Sequence, residues 1–278
     1  EPAAHALYDK MIAAMRAAST LSWQSDYQLE SGGRVVGHAT YAVWLKKPNC
    51  FRLEAVNYDQ KKNTGILVGD GRFLWLYWPN GRPMFYPLDD PKTYEQTRAN
   101  VYMSKPTPLG RHSIGHETNL LGAGMSMPIL DPSTFHGYTD SLQPYLDGVR
   151  GMGTEKVDEQ ECDGIEVSFM KGQRSWYIWL SRRDLLPRKL KEVVRVSADI
   201  VTNERWSDVT VNAEIPDAKF SWTPPEGWKQ WRLPGPDEIL LKPGTPAPDF
   251  QLRSADGKTI RLSNYHGRVV WLYIWRGG

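Results

Sequence analysis

Cysteine, net charge and long apolar runs are all scarce in this 278-residue chain. The only cysteines, Cys50 and Cys162, allow one bridge and show no metal-type spacing; free thiols are expected at both. Lys plus Arg number 34 against 32 Asp plus Glu, a net charge of +2. So even a balance excludes a phosphate-tracking surface, and nucleic acid is not an expected partner. The longest apolar stretch, Val269–Trp275, is far short of the roughly 18 residues a membrane helix needs. The chain opens at Glu1 with no methionine and no basic-then-apolar leader, as expected where an export signal has been removed. By contrast, large amphipathic rings are abundant. Twelve Trp and thirteen Tyr exceed what a core of this size needs and point to a wide apolar surface that takes a ligand or partner.

The apolar spacing of Leu7, Met11, Met15 and Ala18 predicts a helix over 3–18. From Trp23 the period becomes two, and strands are expected near 23–30, 35–46, 50–58, 64–69, 72–78 and 83–87. Ser31-Gly32-Gly33-Arg34, Pro48-Asn49, Gly69-Asp70-Gly71 and Pro79-Asn80-Gly81 separate them. Pro91 after Asp90 starts an expected helix with Tyr94, Thr97 and Val101 on its apolar side. Residues 104–137 are apolar but unpatterned, and a short helix is expected over 140–149. Strands return near 151–158, 162–170, 174–181, 187–196, 200–211 and 218–223. The expected fold is mainly β with α. About eleven antiparallel strands curl into a half-open barrel wrapped around the helices. The Pro-rich 233–243 reads as a linker, so the first domain ends at 232.

Two stretches carry a resemblance: VWLKKPNCFRLE at 43–54 with GILVGDGRFLWLYWP at 65–79, and DAKFSWTPPEGW at 217–228. In order and spacing they resemble the LolA/LolB-type lipoprotein carriers over most of 1–232. The resemblance implies a periplasmic or cell-envelope protein, an incomplete barrel with a helical lid, and a lipid, acyl chain or lipidated protein held on the concave side. A third, alternative implication is an envelope-stress sensor or scaffold, a role the same fold serves. Lys47 stands where the carriers have an arginine that clasps the lid, and lysine lacks the planar fork of that clasp.

Strands apolar on both faces nominate Trp44, Phe73, Trp75, Tyr77, Trp176 and Ile178 as ligand-lining residues or as ordinary core. Met125 and Met127, beside Leu120 and Leu121, are either a deformable lid or plain loop packing.

A second resemblance covers 244–278. Gly-x-x-Ala-Pro-Asp-Phe-x-Leu from Gly244 to Leu252, Asp-Gly-Lys at 256–258 and the apolar run before Arg276-Gly277-Gly278 resemble the opening of a thioredoxin-like redoxin or peroxiredoxin. In that family the reactive cysteine follows such a strand, and here the sequence stops first. The expectation is therefore an incomplete thioredoxin-like segment, docked or disordered, belonging to a longer two-domain protein. That longer protein is expected to be a thiol-disulfide oxidoreductase or peroxiredoxin, with a redox or envelope partner for which the first domain positions substrate.

His112, His116 and Glu117 in RHSIGHE lack the order of a zinc protease and read as a solvated loop. Asp158, Glu159, Glu161 and Asp163 read as a wet hairpin turn rather than a calcium loop. No nucleophile elbow, phosphate loop or dinucleotide fingerprint occurs, and the sequence calls for no catalytic residue, metal or cofactor.

Overall fold

The computed structural model describes residues 1–57, 65–85, 88–106, 114–121, 128–138, 143–195 and 199–273. The chain divides into Glu1–Arg232 and Leu233–Gly278. The first unit opens with α1 (Pro2–Ala17), which has proline in its first turn and buries Ala4, Tyr8, Met11 and Met15. β1 (Thr20–Ser31) and β2 (Arg34–Lys46) follow as a hairpin. Its two-residue turn, Gly32-Gly33, has positive φ at both positions, the conformation that glycine supplies without a Cβ clash.

β3 (Cys50–Asn57), β4 (Ile66–Asp70), β5 (Phe73–Tyr77) and β6 (Val101–Pro106) continue the antiparallel meander. α2 (Tyr94–Thr97) lies between β5 and β6. α3 (Ile114–Glu117) and α4 (Ser133–His136) follow β6. β7 (Leu146–Val157), β8 (Gln160–Phe169), β9 (Arg174–Ser181), β10 (Pro187–Arg195) and β11 (Asp199–Val211) complete a second meander, and β12 (Lys229–Gln230) closes the unit.

All twelve strands form one unclosed sheet in the order β12-β6-β5-β4-β3-β2-β1-β11-β10-β9-β8-β7, and only the β12–β6 pair is parallel. β1 is the seam between the meanders, pairing with β2 on one side and β11 on the other. The fold is thus mainly β, with an open sheet around helices.

Alternation sets the two faces. Trp23 pairs with Val43, which pairs with Leu53, then Leu67, Leu76 and Met103, so one apolar row crosses six strands on the inner face. Phe51 lies opposite Gly69 on that face, and a Cβ on Gly69 would sit 2.2 Å from the Phe51 ring, so the row needs glycine there. Trp23 and Trp206 stack at 4.1 Å on the same side, worth about 0.5–1.5 kcal/mol beyond the area they bury.

Four expected elements differ. No strand forms over the described part of 83–87. The helix expected after Pro91 shrinks to α2, because Val101 and Met103 begin the inward alternation of β6. The helix expected over 140–149 is a single 3-10 turn at Gln143–Tyr145, after which Leu146 enters β7. Residues expected as a strand at 218–223 instead form a 3-10 turn, Asp217–Phe220.

The second unit carries α5 (Pro236–Ile239), a hairpin of β13 (Gln251–Arg253) with β14 (Thr259–Arg261), and a 3-10 turn at Leu262–Tyr265. Asp249 accepts hydrogen bonds from the Ser263 N–H at 2.8 Å and its hydroxyl at 2.9 Å, which fixes the end of the hairpin.

Candidate functional site

The expected lining residues fall on both faces of the sheet. Trp176 and Ile178 on β9 are inner: Ile178 pairs with Leu190, Leu190 with Glu204, and Glu204 with Tyr27. Trp44, Phe73, Trp75 and Tyr77 are outer. Trp44 pairs with Arg52, Arg52 with Val68, and Val68 with Trp75, one residue out of phase with the inner row. These four therefore do not line a common cavity with Trp176 and Ile178. Met125 and Met127 lie outside the described residues, as does His112.

The outer aromatic group has a covering of its own. Residues 215–231 cross the back of β2–β6 as a strap, so the closing DAKFSW stretch packs on the strands of the two earlier motifs. Lys46 donates to the Ile215 carbonyl at 3.0 Å and pairs with Asp217 at 2.5 Å. The Lys219 ammonium sits 3.4 Å from the Trp44 ring centroid, and Arg52 donates to the Lys219 carbonyl and the Tyr77 hydroxyl, both at 3.3 Å. Trp222 then stacks on Tyr77 at 4.3 Å, with Trp228 edge-on at 6.4 Å. Among the four, Phe73 remains 40% exposed.

The inner face is the apolar basin. Tyr27, Tyr41, Leu45, Phe51, Leu53, Phe169, Ile178 and Trp206 are all buried there. Among the described residues it is filled by the chain itself: α1 contributes Met11 and Met15, and residues 128–138 contribute Ile129, Leu130 and Phe135. These covering pieces are not strands of the sheet; they dock through side chains and a few moorings.

Trp78 Nε1 donates to the Leu120 carbonyl at 3.2 Å, Lys105 pairs with Glu117 at 2.9 Å, and the Tyr138 hydroxyl donates to the Pro48 carbonyl at 2.9 Å. Asp131 Oδ1 stitches α3 to α4 by accepting from the Gly115 N–H at 3.1 Å and the Ser133 N–H at 2.8 Å. Along α1 lies a hollow of about 580 Å³, lined by Tyr8, Asp9, Ile12, Ala13, Arg16, Ala17 and Gln143.

Lys47, the expected clasp, grips α1. Its ammonium donates to the Arg16 carbonyl in the last turn and lies 5.1 Å from the Phe135 ring centroid, so one side chain ties β2, α1 and α4 together. Burial, and then the Arg16 charge, lower its pKa. Replacing it, Lys47→Ala, is expected to cost about 1–2 kcal/mol and to speed hydrogen exchange in α1, whereas Lys47→Arg retains most of the bond. Urea melts with exchange mass spectrometry measure both.

Sequence reasoning missed a charged group on the basin floor. Glu204, on β11, is 2% exposed and accepts four hydrogen bonds. The Ile129 N–H donates to Oε1 at 2.6 Å; Trp206 Nε1 at 3.1 Å, Ser25 at 3.2 Å and the Tyr41 hydroxyl donate to Oε2. Burial pushes its pKa up against the pull of these donors, and raises that of Tyr41 as well. The available signal was a carboxylate in phase with Thr202 and Trp206 on an otherwise inward-facing row.

On α4, His136 packs against Phe51, Phe135 and Tyr138. Both ring nitrogens are buried with no hydrogen-bond partner among the described residues. Burial, then Lys47, lowers its pKa to about 4.

Cys50 and Cys162 are free thiols with pKa values raised by burial. No metal-holding group of His, Cys, Asp and Glu occurs among the described residues. Asp158 and Glu159 form the positive-φ turn between β7 and β8, and Asp158 pairs with Arg205 at 2.5 Å.

These features define a class: an unclosed antiparallel sheet whose apolar inner face is covered by helices and loops of the same chain. Residues 90–232, just over half the chain, match the family described as "Predicted periplasmic protein (DUF2092)", and the chain belongs to that family. No curated protein matches it by sequence.

Among solved structures it is similar to a LolA superfamily protein from Nitrosomonas europaea, with 9% identity and a TM-score of 0.35 over 79% of this chain and 97% of that one. It is also similar to the lipoprotein LppX of Mycobacterium tuberculosis, with 12% identity and a TM-score of 0.43 over 78% and 98%. A third similarity is to the Pseudomonas aeruginosa MucA/MucB complex, with 15% identity and a TM-score of 0.39 over 93% and 74%. The family match ends at Arg232, and nothing in these comparisons supports the redoxin-like reading of 244–278.

Proposed function

We propose that this periplasmic-family protein takes a lipid, an acyl chain or a lipidated protein onto the inner face of its sheet, in exchange for its own covering segments. One observation carries the reading: the apolar basin is closed by α1 and by residues 114–121 and 128–138, none of which belongs to the strand ladder. Cargo that replaces them conserves the buried area, at roughly 25 cal/mol per Å², without breaking a sheet hydrogen bond. The lining under this reading is Trp176 and Ile178 with Trp23, Tyr27, Tyr41 and Trp206. Lys47 and Glu204 are the moorings that release.

The test is lipid extraction and mass spectrometry on protein purified from envelopes, beside titration with the neutral dye N-phenyl-1-naphthylamine. Co-purified acyl lipid at near-equimolar amounts, or saturable dye uptake that acyl-chain compounds reverse, is the expected result. Absence of both overturns the reading.

A second reading concerns Leu233–Gly278. It takes the β13–β14 hairpin, with Gly257 at positive φ in its turn, as the opening hairpin of a redoxin-type domain. A disulfide- and peroxide-reduction assay of the whole gene product tests it; no turnover of either substrate sinks it.

A further inference from the structure

We propose that Glu204 is a polar subsite in the apolar basin, selecting cargo that carries an N–H or O–H donor beside its acyl chain and disfavouring a free carboxylate. The inference rests on the cargo-binding reading above and adds the chemistry of the cargo.

A carboxylate this deeply buried is tolerable only when its oxygens are hydrogen-bonded. Here the donors have two origins. Ser25, Tyr41 and Trp206 lie on β1, β2 and β11 and stay with the sheet, so Oε2 keeps its partners whatever happens above it. The Ile129 N–H belongs to a covering segment, and it is the donor recorded on Oε1, at 2.6 Å.

When residues 128–131 leave the basin, Oε1 faces the vacated space with that bond unmade. An unmade bond to a charged group costs more than one to a neutral group. A plain hydrocarbon cannot repair it. An amide N–H or a hydroxyl can, by taking the place of the Ile129 N–H. A carboxylate brings a second negative charge to the same point. Around Glu204 the paired inner positions are Tyr27 and Leu190, with Ile178 beyond, so the acyl portion has apolar floor on both sides of the polar point.

The experiment is displacement of N-phenyl-1-naphthylamine at neutral pH by three twelve-carbon probes: dodecanamide, methyl dodecanoate and dodecanoate. Wild type is expected to bind the amide about tenfold more tightly than the ester, with the carboxylate weakest. Glu204→Gln is a near-isostere. Three donors hold its carbonyl oxygen at the Oε2 position, so its NH₂ group takes the Oε1 position and faces the cargo. The carboxylate should then gain about tenfold relative to the amide.

Equal binding of the three probes by wild type, an ordering that needs no variant to measure, overturns the proposal. So does an unchanged ordering in a folded Glu204→Gln protein. Failure of every probe to bind wild type overturns this inference, and with no acyl lipid co-purified and no dye uptake it overturns the cargo-binding reading as well.

Discussion

Asp89→Ala is expected to lower the stability of the first unit by about 3–5 kcal/mol, the cost of leaving a buried guanidinium unpaired. Arg82 is 2% exposed and forms a two-pronged pair with Asp89, both contacts at 2.5 Å. The Phe85 N–H adds a third bond to the carboxylate at 2.8 Å, and together these hold its pKa low, with Arg82 the leading cause. The pair organises the β5–β6 connection: the guanidinium lies 4.6 Å from the Trp231 ring centroid and 5.5 Å from that of Tyr94. Trp231 in turn stacks on Phe85 at 5.2 Å, just past β12. Losing the carboxylate should therefore loosen the end of the strap and shift tryptophan fluorescence before global unfolding. The double change Arg82→Met with Asp89→Leu should recover part of the loss, because removing both charges also removes the desolvation penalty. Urea melts of the three proteins check this. A single-variant loss below about 1 kcal/mol would show that the pair is not buried in solution.

The second large effect is a pH dependence at His136. In the unfolded chain this imidazole titrates near 6.5; in the folded chain burial and Lys47 lower it to about 4. Between those values the unfolded state binds the proton and the folded state does not, so stability falls as pH drops from about 6.5 to about 4. At about 1.4 kcal/mol per unit, the window amounts to roughly 3 kcal/mol. The Asp131 charge opposes the shift only in part. Glu204 and Glu192, raised by burial, contribute with the opposite sign, so the informative quantity is the difference between proteins. His136→Phe fills the same aromatic niche against Phe51 and Phe135 without a titrating group. Its melting temperature should fall less on acidification than that of wild type. Parallel pH curves for the two proteins would remove His136 from the account. If the curves diverge, acid weakens the α4 covering over the inner face.

Much of the architecture could be read along the chain because alternation and turn chemistry are local. Trp23, Ser25 and Tyr27 in phase, followed by Gly32-Gly33, are enough to write β1 and its hairpin. The errors came where a short pattern serves two structures. Tyr94, Thr97 and Val101 fit a helical face, yet Val101 and Met103 also fit a strand, and the sheet edge took them. The nominated aromatic residues divide between the two faces for a different reason. Trp44, Trp75 and Tyr77 sit on strands apolar on both sides because the strap covers the back of the sheet as helices cover the front. Only contact with residues more than a hundred positions away distinguishes those sides.

What the sequence determined by itself is most of the strands and their alternating faces, since each depends on spacing within a few residues. Tertiary structure alone decided which face is the basin, that Lys47 reaches the last turn of α1, and that Glu204 receives a donor from residue 129 across the floor. Those contacts join positions 31 and 75 residues apart, and closing such loops is rewarded only once the whole sheet has formed.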